Sequence, residues 1–477
     1  MKVMKFGGSA VADPERISRV IDVIEHAQHD ERVCAVFSAM KGITDLLLDA
    51  AGEAAAGYDG YVERTATVRD RHVTSARTLC PDDVALVAQV EQLCEEVGEL
   101  LHGVRLVREC TARTQDLIVG YGERLNCVIV AAAMAARGLP SRYVDAREII
   151  RTDDNHGSAT VDFARTYELI RANLDGEYLP VVTGFIAATE TGVTTTLGRN
   201  GSDYTASIVG AGTDARAIEI WTDVDGVYSA DPRFVPDAFV LPEISYQEAM
   251  ELSYFGAKVI HPYTMVPAVE KGIPLWIKNM LNPDAVGTQI AAHTSSQAEY
   301  ITGIASIENV ALLNVEGGGM VGLPGIAGRI FSTLAAAKIN IIMISQASSE
   351  HSICFVIPDT DAPRAKRALE TELVQELHRK VIQRVAVERD LEIVAVIGEN
   401  MRGKPGISGW LFQALGEAAI NVLAIAQGSS EMNISFVVHR RDREQTLNVV
   451  HSAFFTGDRS GRSGIGAGRS PAGGSAR

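Results

Sequence analysis

The sequence has no CxxC pair, no excess of positive charge and no long apolar run. Each absence removes a class of function. The six cysteines (Cys34, Cys80, Cys94, Cys110, Cys127 and Cys354) are scattered, which argues against a zinc site and points to a reducing compartment. Cys34 and Cys354 sit in apolar, strand-like runs and read as core residues. Lysine and arginine total 44 against 60 aspartates and glutamates, a net charge of −16. That balance argues against non-specific nucleic-acid binding and against an anionic membrane surface. A local cationic pocket can still hold an anionic substrate. No apolar run reaches the roughly 18 residues of a transmembrane helix, and the N-terminal Met1-Lys2-Val3-Met4-Lys5-Phe6 carries no signal-peptide pattern. A cytoplasmic protein with neither nucleic acid nor membrane as partner is expected.

The 477 residues exceed what one core organises, so two to four domains are expected. Hydrophobic residues make up 46% and charged residues 22%, the balance of an ordinary globular protein. The most informative stretch runs from Leu197 to Arg233. Its Gly-rich turn, Gly198-Arg199-Asn200-Gly201-Ser202-Asp203, leads into a helix from Tyr204 to about Ala211. A strand follows from Ala217 to Trp221, ending in Thr222-Asp223-Val224-Asp225-Gly226-Val227-Tyr228 and Asp231-Pro232-Arg233. A loop that opens a helix presents unpaired N–H groups and positive partial charge. Arg199 adds a permanent forked cation suited to a carboxylate or phosphate.

Upstream, residues 2–6 read as a strand, followed by Gly7-Gly8-Ser9 and a helix capped by Asp13-Pro14. Strand, glycine turn and helix together cradle phosphate, because glycine lets the backbone approach an anion. The turn is not a Walker A loop, since its lysine precedes the glycines. A strand at Val33–Phe37 ends in the small, polar run Ser38 to Thr44. Residues 45–110 read as helical. Gly122 and Glu123 open another helix, where Glu123 either compensates the helix dipole or meets a substrate ammonium. Strands at 141–144, 179–184 and 275–279 complete an alternating pattern that predicts a largely parallel sheet covered on both faces. Ligands collect beyond the carboxyl ends of such strands. Five polar turns are expected there, after residues 6 and 37 and near 120, 198 and 222. Residues 244–252 read as a helix, and 281–300 as a loop at the domain boundary. Lys258, in Phe255 to Pro262, is either a surface lysine or a second phosphate cation.

Residues 310–357 and 391–438 match at an offset of 81: Pro324-Gly325-Ile326 with Pro405-Gly406-Ile407, Ile339-Asn340 with Ile420-Asn421, and Gln346 with Gln427. Each copy begins a βαββαβ module, and two copies are expected to pack as a pseudo-twofold pair. From Thr456 the chain is Gly, Ser and Arg, a tail expected to be disordered.

These motifs resemble the aspartate kinases of the amino-acid kinase superfamily: Lys5-Phe6-Gly7-Gly8-Ser9, Ser38 to Thr44, Gly122-Glu123, Gly198 to Tyr204, Trp221 to Tyr228, Asp231-Pro232-Arg233 and Phe255 to Pro262. The resemblance covers about residues 1 to 455. It implies an α/β amino-acid kinase fold at 1–295, with a mainly parallel central sheet flanked by helices. Two ferredoxin-like ACT domains follow at 305–385 and 386–455, and a tail at 456–477. It implies MgATP-dependent phosphorylation of the β-carboxylate of L-aspartate, opening the route to lysine, threonine, methionine and isoleucine. By family match, Lys5 and Lys258 contact the phosphates, with Gly7, Gly8 and Ser9 as donors. Arg199 takes the α-carboxylate, Glu123 the ammonium, and Ser38, Thr44 and Ser202 help hold the substrate. Asp203 orients Lys5 or the substrate. Thr222, Asp223, Tyr228 and Arg233 hold ATP, and Mg²⁺ rides on the phosphates without a protein cage. Gln346 and Gln427, with Asn340 and Asn421, resemble effector contacts of threonine-sensitive members, although a buried amide can equally be satisfied by local backbone. Threonine is the first expectation and lysine the second. Relatives of this type are often fused to a homoserine dehydrogenase, an activity not expected from this sequence. A homodimer or larger assembly through the ACT domains is also implied.

Overall fold

The computed structural model describes residues 1–256, 261–294, 300–320, 324–346 and 352–456. Lys258 and the tail beyond residue 456 lie outside them. The chain forms two compact units, one of residues 1–227 and 240–297, the other of 228–239 and 298–477.

The first unit is built on an eight-stranded sheet. Its order is Ser141–Val144, Leu179–Thr183, Val33–Phe37, Lys2–Phe6, Ala217–Thr222, Leu275–Asn279, Thr288–Ala291, Glu243–Ser245. The first six strands pair in parallel. Every residue of Val33–Phe37 and Leu179–Thr183 is buried, as expected of strands covered on both faces. Asp13 caps the helix Pro14–Asp30, its carboxylate accepting from Arg16 N at 2.9 Å, and Ile17, Val20, Ile21 and Ile24 face the core. The helices Ile43–Ala55, Tyr61–Leu79 and Val84–Val107 form the helical elaboration. A small sheet of Arg151–Thr152, Ile186–Thr189 and Thr194–Thr196 had no clear signal in the sequence.

Four expectations are corrected. Residues Glu243–Ser245 are a strand, and the helix begins at Tyr246 because Ser245 and Glu248 form a reciprocal capping box. Within the expected boundary loop, Thr288–Ala291 pairs antiparallel with Leu275–Asn279. The turn at Gly120 joins two helices, Ala112–Val119 and Tyr121–Ala136, instead of ending a strand. Those helices together make a stretch apolar and long enough to cross a membrane, but 83% of its window is buried, so packing within the unit accounts for its composition.

In the second unit the repeat carries through to the main elements. Strands Gly303–Glu316 and Arg384–Ile397, helices Ile326–Ala336 and Ile407–Glu417, and strands Ser352–Pro358 and Asn433–His439 each stand 81 residues apart. Gly325 and Gly406 precede the helices at φ 96° and 99°, a left-handed turn that favours glycine. The six-stranded sheet runs Met343–Gln346, Ser352–Pro358, Gly303–Glu316, Arg384–Ile397, Asn433–His439, Ala424–Ala426. The two long central strands pair from Gly303↔Ile397 to Glu316↔Arg384. Only Val310–Glu316 pairs with Ser352–Pro358, and only Leu391–Ile397 with Asn433–His439. Residues 303–307 therefore extend the sheet of the second copy, and 384–388 that of the first. The copies are interlocked by strand exchange. At the sheet's two edges Ser345 Oγ donates to Ile425 O at 2.9 Å.

Residues 228–239 leave the first unit and pack in the second. Ala230 and Val235 join the core of Leu411, Phe436 and Val450. Asn448 Nδ2 donates to Phe234 O at 2.7 Å, and Ser229 Oγ lies 3.0 Å from His451 Nε2. Burial lowers the pKa of His451.

Candidate active site

A cleft of about 710 Å³ in the first unit gathers Lys5, Gly7, Gly8, Ser9, Ser38, Thr44, Glu123, Arg199, Ser202 and Asp203. All ten were named from the sequence. Lys5 is on the strand Lys2–Phe6, between Val36 and Ile220 of its parallel neighbours. It is 9% exposed, and its Nζ stands 2.5 Å from Asp203 Oδ1, in the first turn of the helix Gly201–Gly212. The cation is thus held by one carboxylate at the mouth of a helix whose N-terminal dipole favours anions.

The two loops after Phe6 and Phe37 are laced together. Ser38 N donates to Phe6 O at 3.1 Å, and Lys41 N to Gly8 O at 3.1 Å. A Cβ on Gly8 would fall 2.8 Å from Ala39 O, so only glycine allows this approach. Arg16 Nη1 donates to Ser9 O at 2.6 Å, and Arg71 to Lys41 O at 2.8 Å and Ala12 O at 3.1 Å. Three loop carbonyls are thereby engaged by arginines.

Glu123 and Arg199 have complementary environments. Glu123 is 3% exposed; its Oε1 accepts from Ala39 N at 3.1 Å, while Oε2 is buried without a partner. Burial pushes its carboxyl up to about 8, opposed in part by the Ala39 N–H. A buried carboxylate with one unsatisfied oxygen is suited to an incoming cation. Arg199 is exposed, and among the described residues it makes no hydrogen bond or ion pair. Its turn uses Gly198 at φ 78° and Asn200 at φ 55°. The cleft therefore offers a site for a positive group and a site for a negative one, the pattern of an α-amino acid.

Thr222 and Asp223 line a smaller adjoining cavity with Arg16, Arg19, Met280 and Leu281, and Ser9 lines both spaces. Tyr228 and Arg233 are not brought into either. Both belong to the second unit, and the Arg233 guanidinium forks onto Asp231 at 2.6 and 3.1 Å. Their motif is continuous with Thr222 in sequence, but the chain leaves the first unit at Val227. Lys41, Asp116, Gly157 and Thr196 also line the cleft and were not singled out. Lys41 lay inside the Ser38–Thr44 run. Asp116 sits in a short helix of mixed polarity, and its partners come from distant segments. Among the described residues no group of three His, Cys, Asp or Glu side chains can hold a metal ion.

In the second unit Gln346, Gln427, Asn340 and Asn421 are exposed. The alternative of buried, locally satisfied amides is therefore set aside for both glutamines: among the described residues neither makes a side-chain hydrogen bond.

Residues 1–279 match the amino acid kinase family, and 313–373 and 394–454 match the ACT domain. Aspartokinase 1, chloroplastic, of Arabidopsis thaliana is 34% identical over 474 residues, covering 96% of this chain and 81% of that protein. The bifunctional aspartokinase/homoserine dehydrogenase 2, chloroplastic, of the same plant is 37% identical over 463 residues, covering 95% of this chain. The chain spans about half the length, 50%, of that bifunctional relative. The crystal structure of E. coli aspartokinase III with aspartate and ADP superposes with a TM-score of 0.78 at 31% identity, covering 95% of this chain and 100% of that one.

Proposed function

The chain belongs to the aspartokinases of the amino acid kinase family, and we propose that it transfers the γ-phosphoryl group of ATP to the β-carboxylate of L-aspartate. The observation that carries this reading is the pairing, in one cleft, of Glu123 with its unsatisfied buried oxygen and Arg199, which has no partner among the described residues. The substrate ammonium meets Glu123 and its α-carboxylate meets Arg199. The β-carboxylate is then left to attack phosphorus. It is already ionised at neutral pH, so no general base is needed. The attacking oxygen forms its bond to the γ-phosphorus as the bridging bond to ADP breaks, and ADP leaves with that electron pair. The difficulty is bringing two anions together, which positioning and charge neutralisation overcome. Lys5, steered by Asp203, and the glycine loop supply the neutralising groups. Among the described residues no cluster of side chains is built to hold a metal, so Mg²⁺ would arrive on the phosphates, with Asp45 and Asp203 lining the same cleft, and would spread the developing charge there. Thr222 and Asp223, across Ser9, are suited to the rest of the nucleotide.

The ACT pair supports feedback control by an amino acid, threonine first and lysine second. Gln346 and Gln427, exposed at matching positions and without a side-chain partner among the described residues, favour an effector there. Ile344 and Ile425, 48% and 44% exposed on the edge strands, favour a homodimer or larger assembly through this unit. The test is MgATP-dependent formation of aspartyl hydroxamate from L-aspartate, with and without threonine or lysine. Product suppressed by threonine supports both parts. Product indifferent to both amino acids keeps the kinase and removes the effector assignment. A folded protein that forms no product returns the choice to other substrates of the family or to an amino-acid sensor.

A further inference from the structure

Resting on that reading of Glu123 and Arg199, we infer that Asp116 is a positioning residue that sets the spacing between the ammonium site and the carboxylate site. Asp116 lies on the helix Ala112–Val119, one turn of chain before the helix that carries Glu123. Its carboxylate is 3% exposed and lines the cleft. It accepts three hydrogen bonds from two other segments. Oδ2 takes His156 Nδ1 at 2.9 Å and Gly157 N at 3.0 Å, and Oδ1 takes the Thr196 hydroxyl at 2.6 Å.

Both segments lead to Arg199. Thr196 ends the strand Thr194–Thr196, three residues before Arg199. The loop of residues 153–158 lies against the Arg199 turn, where a Cβ on Gly198 would stand 3.4 Å from Gly157 O and from Ser158 Oγ. Ala159 N donates to Thr196 O at 3.0 Å, closing loop and strand on each other. Asp116 therefore clasps the backbone that presents Arg199 to the helices that present Glu123. Both of its oxygens are taken up by these three donors. Arg199 is long and has no partner among the described residues, so its placement depends on the turn beneath it.

Charge-assisted bonds of this kind are stronger than neutral ones, and three on one buried carboxylate make a rigid junction. Removing it leaves three donors facing a void. The Arg199 turn is then free to shift, and a displacement of about 1 Å costs on the order of 100-fold in a positioned site.

The test is steady-state kinetics of full-length Asp116→Ala and Thr196→Val, each also combined with Arg199→Ala. Thr196→Val keeps the side-chain shape and removes only the Oδ1 bond, so it reads the effect should Asp116→Ala fold poorly. We expect KM for aspartate to rise on the order of 10- to 100-fold with KM for ATP unchanged. In the Arg199→Ala background the same substitutions should add less than about 2-fold, because their effect passes through Arg199. Losses that simply multiply, or a KM for ATP that rises in step with that for aspartate, overturn the inference. A wild-type protein that neither binds nor phosphorylates aspartate overturns the functional reading, and this inference with it. An active wild type with indifferent variants overturns this inference alone.

Discussion

Glu123 supplies a prediction whose size follows from its surroundings. Its carboxyl is pushed up to about 8 by burial, from an ordinary value of 4.5. On the proposed reading aspartate binds only the ionised form, so the apparent KM is the intrinsic value divided by the ionised fraction. That fraction falls from about one half at pH 8 to about 0.01 at pH 6. KM for aspartate should therefore rise about 50-fold over that interval, while KM for ATP stays flat. Glu123→Gln removes the titrating group. Its KM should be raised about 10- to 100-fold near pH 8, from the loss of a charge-assisted bond, and should no longer depend on pH between 6 and 8. The same shift bears on stability. The folded-state pKa lies above the unfolded one, so the group's favourable contribution is complete below pH 4.5 and is lost as pH rises through about 8. Between pH 4.5 and 7 the ligand-free protein loses roughly 3 kcal/mol through this group. Glu123→Gln should accordingly melt higher than the wild type at pH 8 in the absence of substrate. Initial-rate measurements in a coupled assay, with thermal melts at matched pH, decide the matter. A wild-type KM for aspartate that is flat from pH 6 to 8 would refute the reasoning.

Four further substitutions test other parts of the molecule. Lys5→Ala removes the cation held by Asp203 and should lower kcat about 10²- to 10³-fold, the scale of losing one preorganised charge-stabilising donor; single-turnover rates equal to the wild type would displace the lysine from phosphoryl transfer. Ser245→Ala breaks the capping box of the helix Tyr246–Tyr254 and should cost about 1 kcal/mol in urea unfolding, with an unchanged midpoint counting against the cap. Gln346→Ala and Gln427→Ala, made separately, should each be read by inhibition curves. The copy that holds the effector should show about a 10-fold weaker response, and unaltered curves for both with threonine and lysine would remove the glutamines from effector binding.

What could be read in advance was what is encoded locally. Asp13-Pro14, Gly7-Gly8 and the turn Gly198 to Asp203 each carry their own backbone requirement, so their placement needed no knowledge of distant partners. The ten cleft residues lie in runs that open or close an element, and their assignment to one site came with the resemblance to the aspartate kinases that those runs carry. Residues whose role depends on distant partners gave no such sign. Asp116 is one carboxylate in a short helix of mixed polarity, and only its meeting with His156, Gly157 and Thr196, 40 to 80 residues away in sequence, distinguishes it. The strand exchange between the ACT copies was equally hidden. The residues at 303–307 precede the matched region, and nothing in a period-two pattern says which copy's sheet a strand extends. Tyr228 and Arg233 line neither cavity of the first unit, for the opposite reason. They adjoin Thr222 in a continuous motif, yet the chain changes units after Val227. Residues 228–239 supply Ala230 and Val235 to a core otherwise drawn from the ACT copies. The run that begins beside Thr222 and Asp223 is therefore anchored in the regulatory unit within a few residues. A signal from the effector half accordingly has a covalent route to the cavity that Thr222 and Asp223 line, whatever the two units do as bodies.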